Sequence, residues 1–304
     1  MQYFYKKNVI KLIIFIFFSF TFCSKNFFFN IITTTGIIKD AVKNITKKSI
    51  QTTSLMGAGV DPHLYKATQL NLKQLNNSNI IFYNGLNLEG KMSEIFKKLN
   101  NNKNIYAISN SINIKNLIRD ISFSSSIDPH IWFSVKLWIN TIKYINNVLK
   151  KKITVYSNFY QNNTNLYIKN LKLLNKSIKK NILKIKKKQR VLITAHDAFS
   201  YFGKSYNIKV KGLQGISTVS EFGIKDIIEL INFIILNNIK AIFLETSIPD
   251  KPLQAVIEGC KEKKYNVIIG GGLHSDAIGE ANTFEDNYIG IISSNTKTIL
   301  NTLK

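Results

Sequence analysis

The chain has 304 residues, 42 basic and 18 acidic side chains and a formal net charge of +24. Of the basic residues 40 are lysine and two are arginine, and arginine is the residue that usually contacts bases and phosphates, so the composition argues against a nucleic-acid partner. Hydrophobic residues make up 45% of the chain, which excludes a disordered protein and supplies core for two modest domains or one large one.

The N-terminus combines positive charge with a short apolar run. Three lysines in the first eleven residues are followed by LIIFIFFSFTF, which ends at Cys23. The run is short for a bilayer span, so residues 1–23 are predicted to be a secretory or lipoprotein-type signal. Cys23 lies where a bacterial lipoprotein carries its lipidated cysteine, although Phe22 is bulkier than the residue usually found there. Attachment through a lipid on Cys23 and an uncleaved N-terminal anchor both stay open.

In the first half of the chain, β-branched and aromatic runs alternate with amphipathic stretches of helical spacing. This alternation indicates a parallel sheet with helices on its faces. The predicted strands cover 27–36, 49–57, 79–85 and 104–109, and the predicted helices cover 37–48 and 91–100.

Two longer amphipathic helices follow. The first is predicted over 134–151, and the second over 158–188, where apolar residues recur at steps of three and four. A helix of about 30 residues would be about 45 Å long. Such a helix is too long for one small sheet, so it is predicted to join two lobes.

The alternation of strands and helices then resumes. We therefore predict an α/β fold of two lobes, each with a parallel sheet flanked by helices, joined by one long backbone helix. The predicted lobes are 24–157 and 189–304. The predicted strands of the second lobe cover 190–196, 209–215, 241–247 and 266–272, and its helices cover 223–238, 252–264 and 286–303.

Two of the four histidines occur in the same tripeptide, Asp-Pro-His, at 61–63 and 128–130. The proline restricts its own φ and the residue before it, and the aspartate can accept backbone N–H groups, so each histidine is held in a stiff turn. A side chain that is held rigidly by its surroundings is well suited to be a metal ligand. The alternative is that both matches are ordinary turns.

Three histidines and one carboxylate form a complete ligand set for a divalent cation. Each histidine is predicted at a strand end or a helix start, where open α/β sheets bind ligands. The first two ligands fall in the N-terminal lobe and the other two in the C-terminal lobe, which places the metal in the cleft between them. The candidates are His63, His130, His196 and Asp276, with His274, Glu221 and Glu245 as alternatives for the fourth position.

Seven segments occur in an order that is typical of one family. With them the chain resembles the metal-binding receptor proteins of bacterial ABC transporters for zinc and manganese, the TroA/ZnuA-like family, and the TroA type in particular. The resemblance covers nearly all of the chain after the predicted signal. The segments are GAGVDPHLYKAT, YNGLNLEGKM, DPHIWF, AHDAFSYFGKSY, GLQGIST, ETSIP and GGGLHSDAIGE.

The resemblance assigns the family's ligand positions to the same set, His63, His130, His196 and Asp276. The position of His196 is a histidine in some members and a glutamate in others. The position of His274 is usually aromatic and not a ligand, so we interpret His274 as a residue that lines the cleft. The family also implies two lobes with parallel sheets and a single long helix between them.

The function implied is that of an extracytoplasmic receptor, in the periplasm or on the outer face of the cytoplasmic membrane. It would deliver Zn²⁺ or Mn²⁺, with Fe²⁺ as a further candidate, to an ABC permease with its cytoplasmic ATPase. We expect a monomer without catalytic activity or a catalytic cofactor. The segment ISFSSSIDPH before His130 lacks the loop rich in histidine and acidic residues of dedicated zinc importers, which argues against that specialisation.

Two other functions are compatible with the composition. A zinc-dependent hydrolase would need an open coordination position for water and a nearby base, for which Glu245 is a candidate, but four protein ligands leave little room and no H-E-x-x-H helix occurs. A surface adhesin of the same fold is the third possibility, and no segment of the sequence points to its partner.

Overall fold

A computed structural model gives the fold of residues 29–100, 104–119, 126–219 and 222–304. The predicted signal segment with Cys23, and the alternative ligand Glu221, lie outside these described residues. Within them, no helix combines the length and the apolar character needed to cross a membrane.

The first half of the chain folds into a parallel sheet with helices between its strands, as predicted. The four strands lie in the order β2-β1-β3-β4, where β1 is Asn30–Thr33, β2 is Gln51–Ser54, β3 is Ile80–Tyr83 and β4 is Ile105–Ala107. The connecting helices are α1 (Gly36–Thr46), α2 (Gln69–Asn77) and α3 (Ser93–Asn100).

Helix α2 was not expected from the sequence. Only Asn71 and Leu75 of this helix are buried, so it has almost no apolar stripe. A capping box fixes its start instead, because the Thr68 hydroxyl accepts the backbone N–H of Asn71 while the Asn71 side chain accepts the backbone N–H of Thr68.

Two long helices follow, α4 (Val135–Lys152) and α5 (Ser157–Ile182). The buried face of α5 has the predicted spacing, but the helix ends at Ile182 and not at residue 188. Arg190 explains the end, since its Nε donates to the carbonyl of Ile185 at 2.9 Å and its Nη2 to the carbonyl of Leu183 at 3.3 Å. These bonds hold the carbonyl groups just beyond the helix in a turn.

Helix α5 contacts both halves of the chain. It packs on α1 and α4 from the first half and on α9 (Tyr288–Leu303) from the second. Its buried stripe supplies this contact over the full length of the helix. The stripe consists of Tyr160, Thr164, Tyr167, Leu171, Leu174, Ile178 and Ile182.

The second half contains two parallel strand pairs, β5–β6 and β7–β8, with β5 in contact with β7. The strands are β5 (Val191–His196), β6 (Lys209–Gln214), β7 (Ala241–Glu245) and β8 (Ile268–Leu273). The helices before α9 are α6 (Ser200–Tyr206), which was not predicted, α7 (Ile224–Leu236) and α8 (Lys251–Glu262).

The carboxyl ends of the strands carry the polar residues of interest. His63 follows β2, His196 is the last residue of β5, Glu245 is the last residue of β7, and Asp276 follows β8. Parallel strands direct their carboxyl ends to one edge of a sheet, and in open α/β folds ligands bind there. The fold therefore gathers these side chains from sequence positions that are far apart.

Candidate metal centre

The four predicted ligands lie together in the interior of the protein. One ligand atom from each of His63, His130, His196 and Asp276 can be chosen so that all four lie within 4.8 Å of one another. None of the four residues is more than 1% exposed. Three imidazoles and a carboxylate enclosed in this way form a donor set suited to a divalent transition metal.

The distances between ligand atoms have the size that a small ion requires. His130 Nε2 lies 3.3 Å from His63 Nε2, 3.4 Å from His196 Nε2 and 3.3 Å from Asp276 Oδ1. His196 Nε2 lies 3.3 Å from Asp276 Oδ2. Atoms at the corners of a tetrahedron around an ion, with bonds of about 2.0–2.1 Å, are separated by about 3.3–3.4 Å. These four contacts therefore have the length of such edges, and they involve both oxygens of Asp276.

In both Asp-Pro-His turns the aspartate accepts the backbone N–H of the histidine, as predicted from the sequence. The backbone N–H of His63 donates to Asp61 Oδ1 at 2.8 Å, and that of His130 donates to Asp128 Oδ1 at 2.9 Å. The buried Asn84 side chain also donates to the carbonyl of Pro129 at 3.0 Å. The aspartates thus act on the turns and not as ligands.

Two of the histidines have a carboxylate behind the ring. His130 Nδ1 lies 2.8 Å from Asp128 Oδ1, and His196 Nδ1 lies 2.7 Å from Glu245 Oε2. In each pair a carboxylate oxygen lies against Nδ1, which leaves Nε2 directed at the centre. Such carboxylate–histidine pairs orient metal ligands and raise their basicity.

Charge and burial act differently on the individual groups. Burial lowers the pKa of His63 to about 3, so this ring is neutral at pH 7. Burial also lowers the pKa of His130, but the charges of Asp128 and Asp276 outweigh it and raise the pKa to about 10. Burial opposes the ionisation of Asp276, yet the neighbouring histidines hold its pKa below the usual range. The carboxylate is therefore ionised and attracts a cation.

The alternative ligands lie elsewhere. His274 is half-buried outside the cluster, with Nδ1 3.3 Å from Thr246 Oγ1 and its backbone N–H donated to Asn295. Glu245 approaches His196 from the side away from the centre, and its Oε1 also accepts the backbone N–H of His196 at 2.8 Å. The sequence left the role of Glu245 open, and the structure places it as the partner of a histidine.

Three residues near the centre were missed by sequence reasoning. Two of them form hydrogen bonds between the two halves of the chain. The indole of Trp132 donates to the carbonyl of Ser275, and the hydroxyl of Tyr201 donates to the carbonyl of Asp128. Thr218 donates to Asp61 Oδ2 at 2.6 Å. The sequence hinted at these residues only by position. Trp132 is close to His130, Tyr201 is close to His196, and Thr218 is the last residue of the segment GLQGIST.

A buried cluster of three histidines and an aspartate, drawn from both halves of an α/β chain, is the arrangement expected of the class of solute receptors that enclose a metal ion. The comparisons identify the family within that class. Residues 31–302 match the family described as "Zinc-uptake complex component A periplasmic". The chain belongs to this family of metal-binding components of ABC transporters.

Individual relatives agree with the family match. The chain is 44% identical over 271 residues to the manganese-binding lipoprotein MntA of Bacillus subtilis. This match covers 89% of this chain and 88% of MntA. It is 40% identical over 270 residues to the zinc-binding protein TroA of Treponema pallidum, covering 89% and 87%. The solved structure of that periplasmic TroA matches with a TM-score of 0.87 over 90% of this chain and 98% of its own.

These findings confirm the predicted fold class, the predicted family and its receptor function. Members of the family are solute-binding transporter components and not enzymes. They are periplasmic or lipoprotein-type, which agrees with the location predicted from the N-terminal segment. The names of the relatives include both manganese and zinc, so membership of the family does not select one metal.

Proposed function

We propose that the chain captures a divalent transition-metal ion between lobes 24–157 and 189–304, with His63, His130, His196 and Asp276 as its ligands. One observation carries the proposal. Three Nε2 atoms and a carboxylate converge in a buried space, and neither oxygen of Asp276 has a well-oriented hydrogen-bond donor among the described residues. A buried carboxylate without a well-oriented donor is costly unless a cation lies beside it.

The donor set suits zinc and manganese, with Fe²⁺ as a third candidate. Three imidazoles and a carboxylate oxygen satisfy a tetrahedral zinc ion, which lies above manganese in intrinsic affinity. Oδ1 and Oδ2 of Asp276 face different histidines of the cluster. A bidentate Asp276 would add the second oxygen that manganese favours.

The captured ion is the cargo of a transporter. The receptor, a monomer held at the membrane through a lipid on Cys23 or through an N-terminal anchor, passes the ion to a permease with its cytoplasmic ATPase. No catalytic cofactor is involved. The enclosed site disfavours hydrolysis, since the four ligands are buried and Glu245 is occupied by His196. No feature of the described residues favours the adhesin alternative.

A competition titration tests this function. The chain from Ser24, stripped of metal, is titrated with zinc and with manganese in matched buffers, and its melting temperature is recorded with each ion. We expect binding of one ion per chain and a melting temperature that rises with the free ion above its dissociation constant. If no ion among zinc, manganese and Fe²⁺ binds or raises the melting temperature, the proposal is wrong.

The titration also separates the candidate metals. Zinc favoured over manganese by several orders of magnitude would indicate a zinc receptor with a tetrahedral site. Comparable affinities would indicate a site that penalises zinc geometrically, and manganese would then be the cargo wherever it is the more available ion.

A further inference from the structure

Trp132 connects two of the proposed ligands across the two halves of the chain. It lies two residues after His130, in the short 3₁₀ turn Ile131–Phe133, and is 2% exposed. Its indole Nε1–H donates a hydrogen bond of 2.9 Å to the backbone carbonyl of Ser275, the residue before Asp276. A side chain of the first half is therefore bonded directly to the backbone that carries the carboxylate ligand.

A second hydrogen bond holds the same tryptophan. The hydroxyl of Tyr288, a fully buried residue at the start of α9, donates to the backbone carbonyl of Trp132 at 2.7 Å. Ser275 and Tyr288 stand at the two ends of segment 276–287, which begins with the ligand Asp276. Trp132 thus contacts both ends of the segment through two buried bonds.

The indole also touches the histidine ligand. The rings of His130 and Trp132 meet edge to face, with centroids 5.2 Å apart and an interplanar angle of 72°. Rotation of the imidazole is restricted by this contact and by Asp128 on the other ring nitrogen. The separation of 3.3 Å between His130 Nε2 and Asp276 Oδ1 is therefore controlled from both sides by Trp132.

We propose that Trp132 is a positioning residue that sets the separation of His130 and Asp276, and thereby the discrimination of the site between zinc and manganese. The inference rests on the proposed metal-binding function. A fixed separation penalises any ion whose preferred bond lengths would require the ligands to move. The observed separation is that of a tetrahedral ion with bonds of about 2.0–2.1 Å, so holding it fixed favours zinc, and when it is free to adjust manganese recovers part of its preferred geometry.

Trp132→Phe tests the proposal, because phenylalanine keeps an aromatic ring and removes the indole N–H. Dissociation constants for zinc and manganese are measured on the purified protein and on the variant. We expect the ratio of the manganese dissociation constant to the zinc dissociation constant to fall about fivefold, the effect of losing one hydrogen bond worth about 1 kcal/mol. The visible absorption bands of the Co²⁺-loaded protein should also shift, because they report the geometry of the ligands.

Trp138→Phe is the matched control. Trp138 is the only other tryptophan of the chain, is fully buried, and stacks on the ring of Tyr288 with centroids 5.1 Å apart. The substitution makes the same change in the core without removing a bond to the Asp276 segment. We expect a lower melting temperature, as for other core substitutions, with the zinc-to-manganese ratio and the Co²⁺ bands unchanged.

Tyr288→Phe provides a second variant that removes only the other hydrogen bond of Trp132. It should change the ratio in the same direction and less strongly. The proposal is overturned if Trp132→Phe and Tyr288→Phe fold, bind both ions and keep the original ratio and Co²⁺ bands, or if Trp138→Phe changes them equally. If the unsubstituted protein binds neither ion, the proposed function fails, which is a different result.

Discussion

Asp61 and Thr218 join the two halves of the chain through a hydrogen bond of 2.6 Å, from the threonine hydroxyl to Oδ2 of the carboxylate. The other oxygen of Asp61 accepts the backbone N–H of His63 at 2.8 Å. One carboxylate therefore stiffens the turn of a proposed ligand and ties that turn to the second half of the chain. The position of His63 is therefore linked to the packing of the two halves of the chain.

Thr218→Val should accelerate metal release. The variant keeps the shape of the side chain and loses the bond to Asp61, and hydrogen bonds to charged groups contribute about 1.5–3 kcal/mol. Because both residues are partly exposed, we expect the lower end of this range, or about a tenfold faster dissociation, measured by stopped-flow with a chelator. Ser217→Ala is the control, since it removes a neighbouring hydroxyl that accepts the N–H of Val219 and has no recorded bond to Asp61 among the described residues. Equal dissociation rates in all three proteins would contradict this role.

Removal of a proposed ligand should weaken binding without unfolding the protein. We expect His63→Ala and Asp276→Ala to reduce metal affinity at least about tenfold, because loss of a group that merely supports a ligand already costs about 10- to 100-fold. His274→Ala is the matched control, a histidine outside the cluster that should keep the original affinity. Metal affinity is measured by titration of each variant, and circular dichroism checks that the variant is folded. Unchanged affinity in His63→Ala and Asp276→Ala would rule out the site.

Glu245→Gln should weaken metal binding through His196. The amide nitrogen or oxygen of glutamine cannot hold the Nδ1–H and the backbone N–H of His196 as two carboxylate oxygens do. We expect an affinity lower by about tenfold to 100-fold with an intact fold. Glu258→Gln, the same change on the exposed side of α8, should have no effect. A hydrolase would instead lose an activity in Glu245→Gln, so an assay for hydrolysis separates the two functions.

Metal binding should become stronger as the pH rises from 6 to 9. The pKa of His130 is raised to about 10, so the metal-free ring holds a proton on Nε2 over this range, and an ion must displace it. Each displaced proton changes the affinity about tenfold per pH unit. Calorimetry in buffers of different ionisation enthalpy should detect release of at least one proton per ion at pH 7. A flat affinity profile without proton release would contradict coordination by His130.

Asp40 should make the metal-free protein less stable as the pH rises from 4 to 6. Burial raises its pKa to about 6, although the Tyr167 hydroxyl and the Tyr288 N–H donate to its Oδ2. The folded protein therefore keeps a proton that the unfolded chain, with an ordinary carboxyl pKa of about 3.9, has already lost. Ionisation of the folded carboxyl costs about 2–3 kcal/mol, and this cost is fully present above pH 6.

The variant Asp40→Asn isolates this contribution. Urea unfolding of the protein and the variant is compared between pH 4 and pH 7, and the stability of the variant relative to the protein should increase by about 2–3 kcal/mol across that range. Asp250→Asn, an exposed aspartate without a capping bond, should show a constant difference. A constant difference for Asp40→Asn as well would show that this half-buried carboxyl has an ordinary pKa in the folded state.

Much of the fold follows from local patterns. The stripe from Tyr160 to Ile182 repeats at helical spacing and is buried as predicted, because amphipathicity acts within one element. Helix α2 escaped prediction because its start depends on a capping box and not on an apolar face. The end of α5 was not predicted because it depends on Arg190, which lies beyond the helix.

The sequence by itself determined the stiff Asp-Pro-His turns and the histidines at strand ends, since both are local features. Only the tertiary structure decided that Asp276 faces the centre while Glu245 supports His196 from behind. Both are carboxylates at carboxyl ends of neighbouring strands, so sequence spacing does not distinguish them. The hydrogen bond from Trp132 to Ser275 cannot be predicted from the sequence either. Distances between the two halves of the chain depend on how both pack on α5 and not on any periodicity within one element.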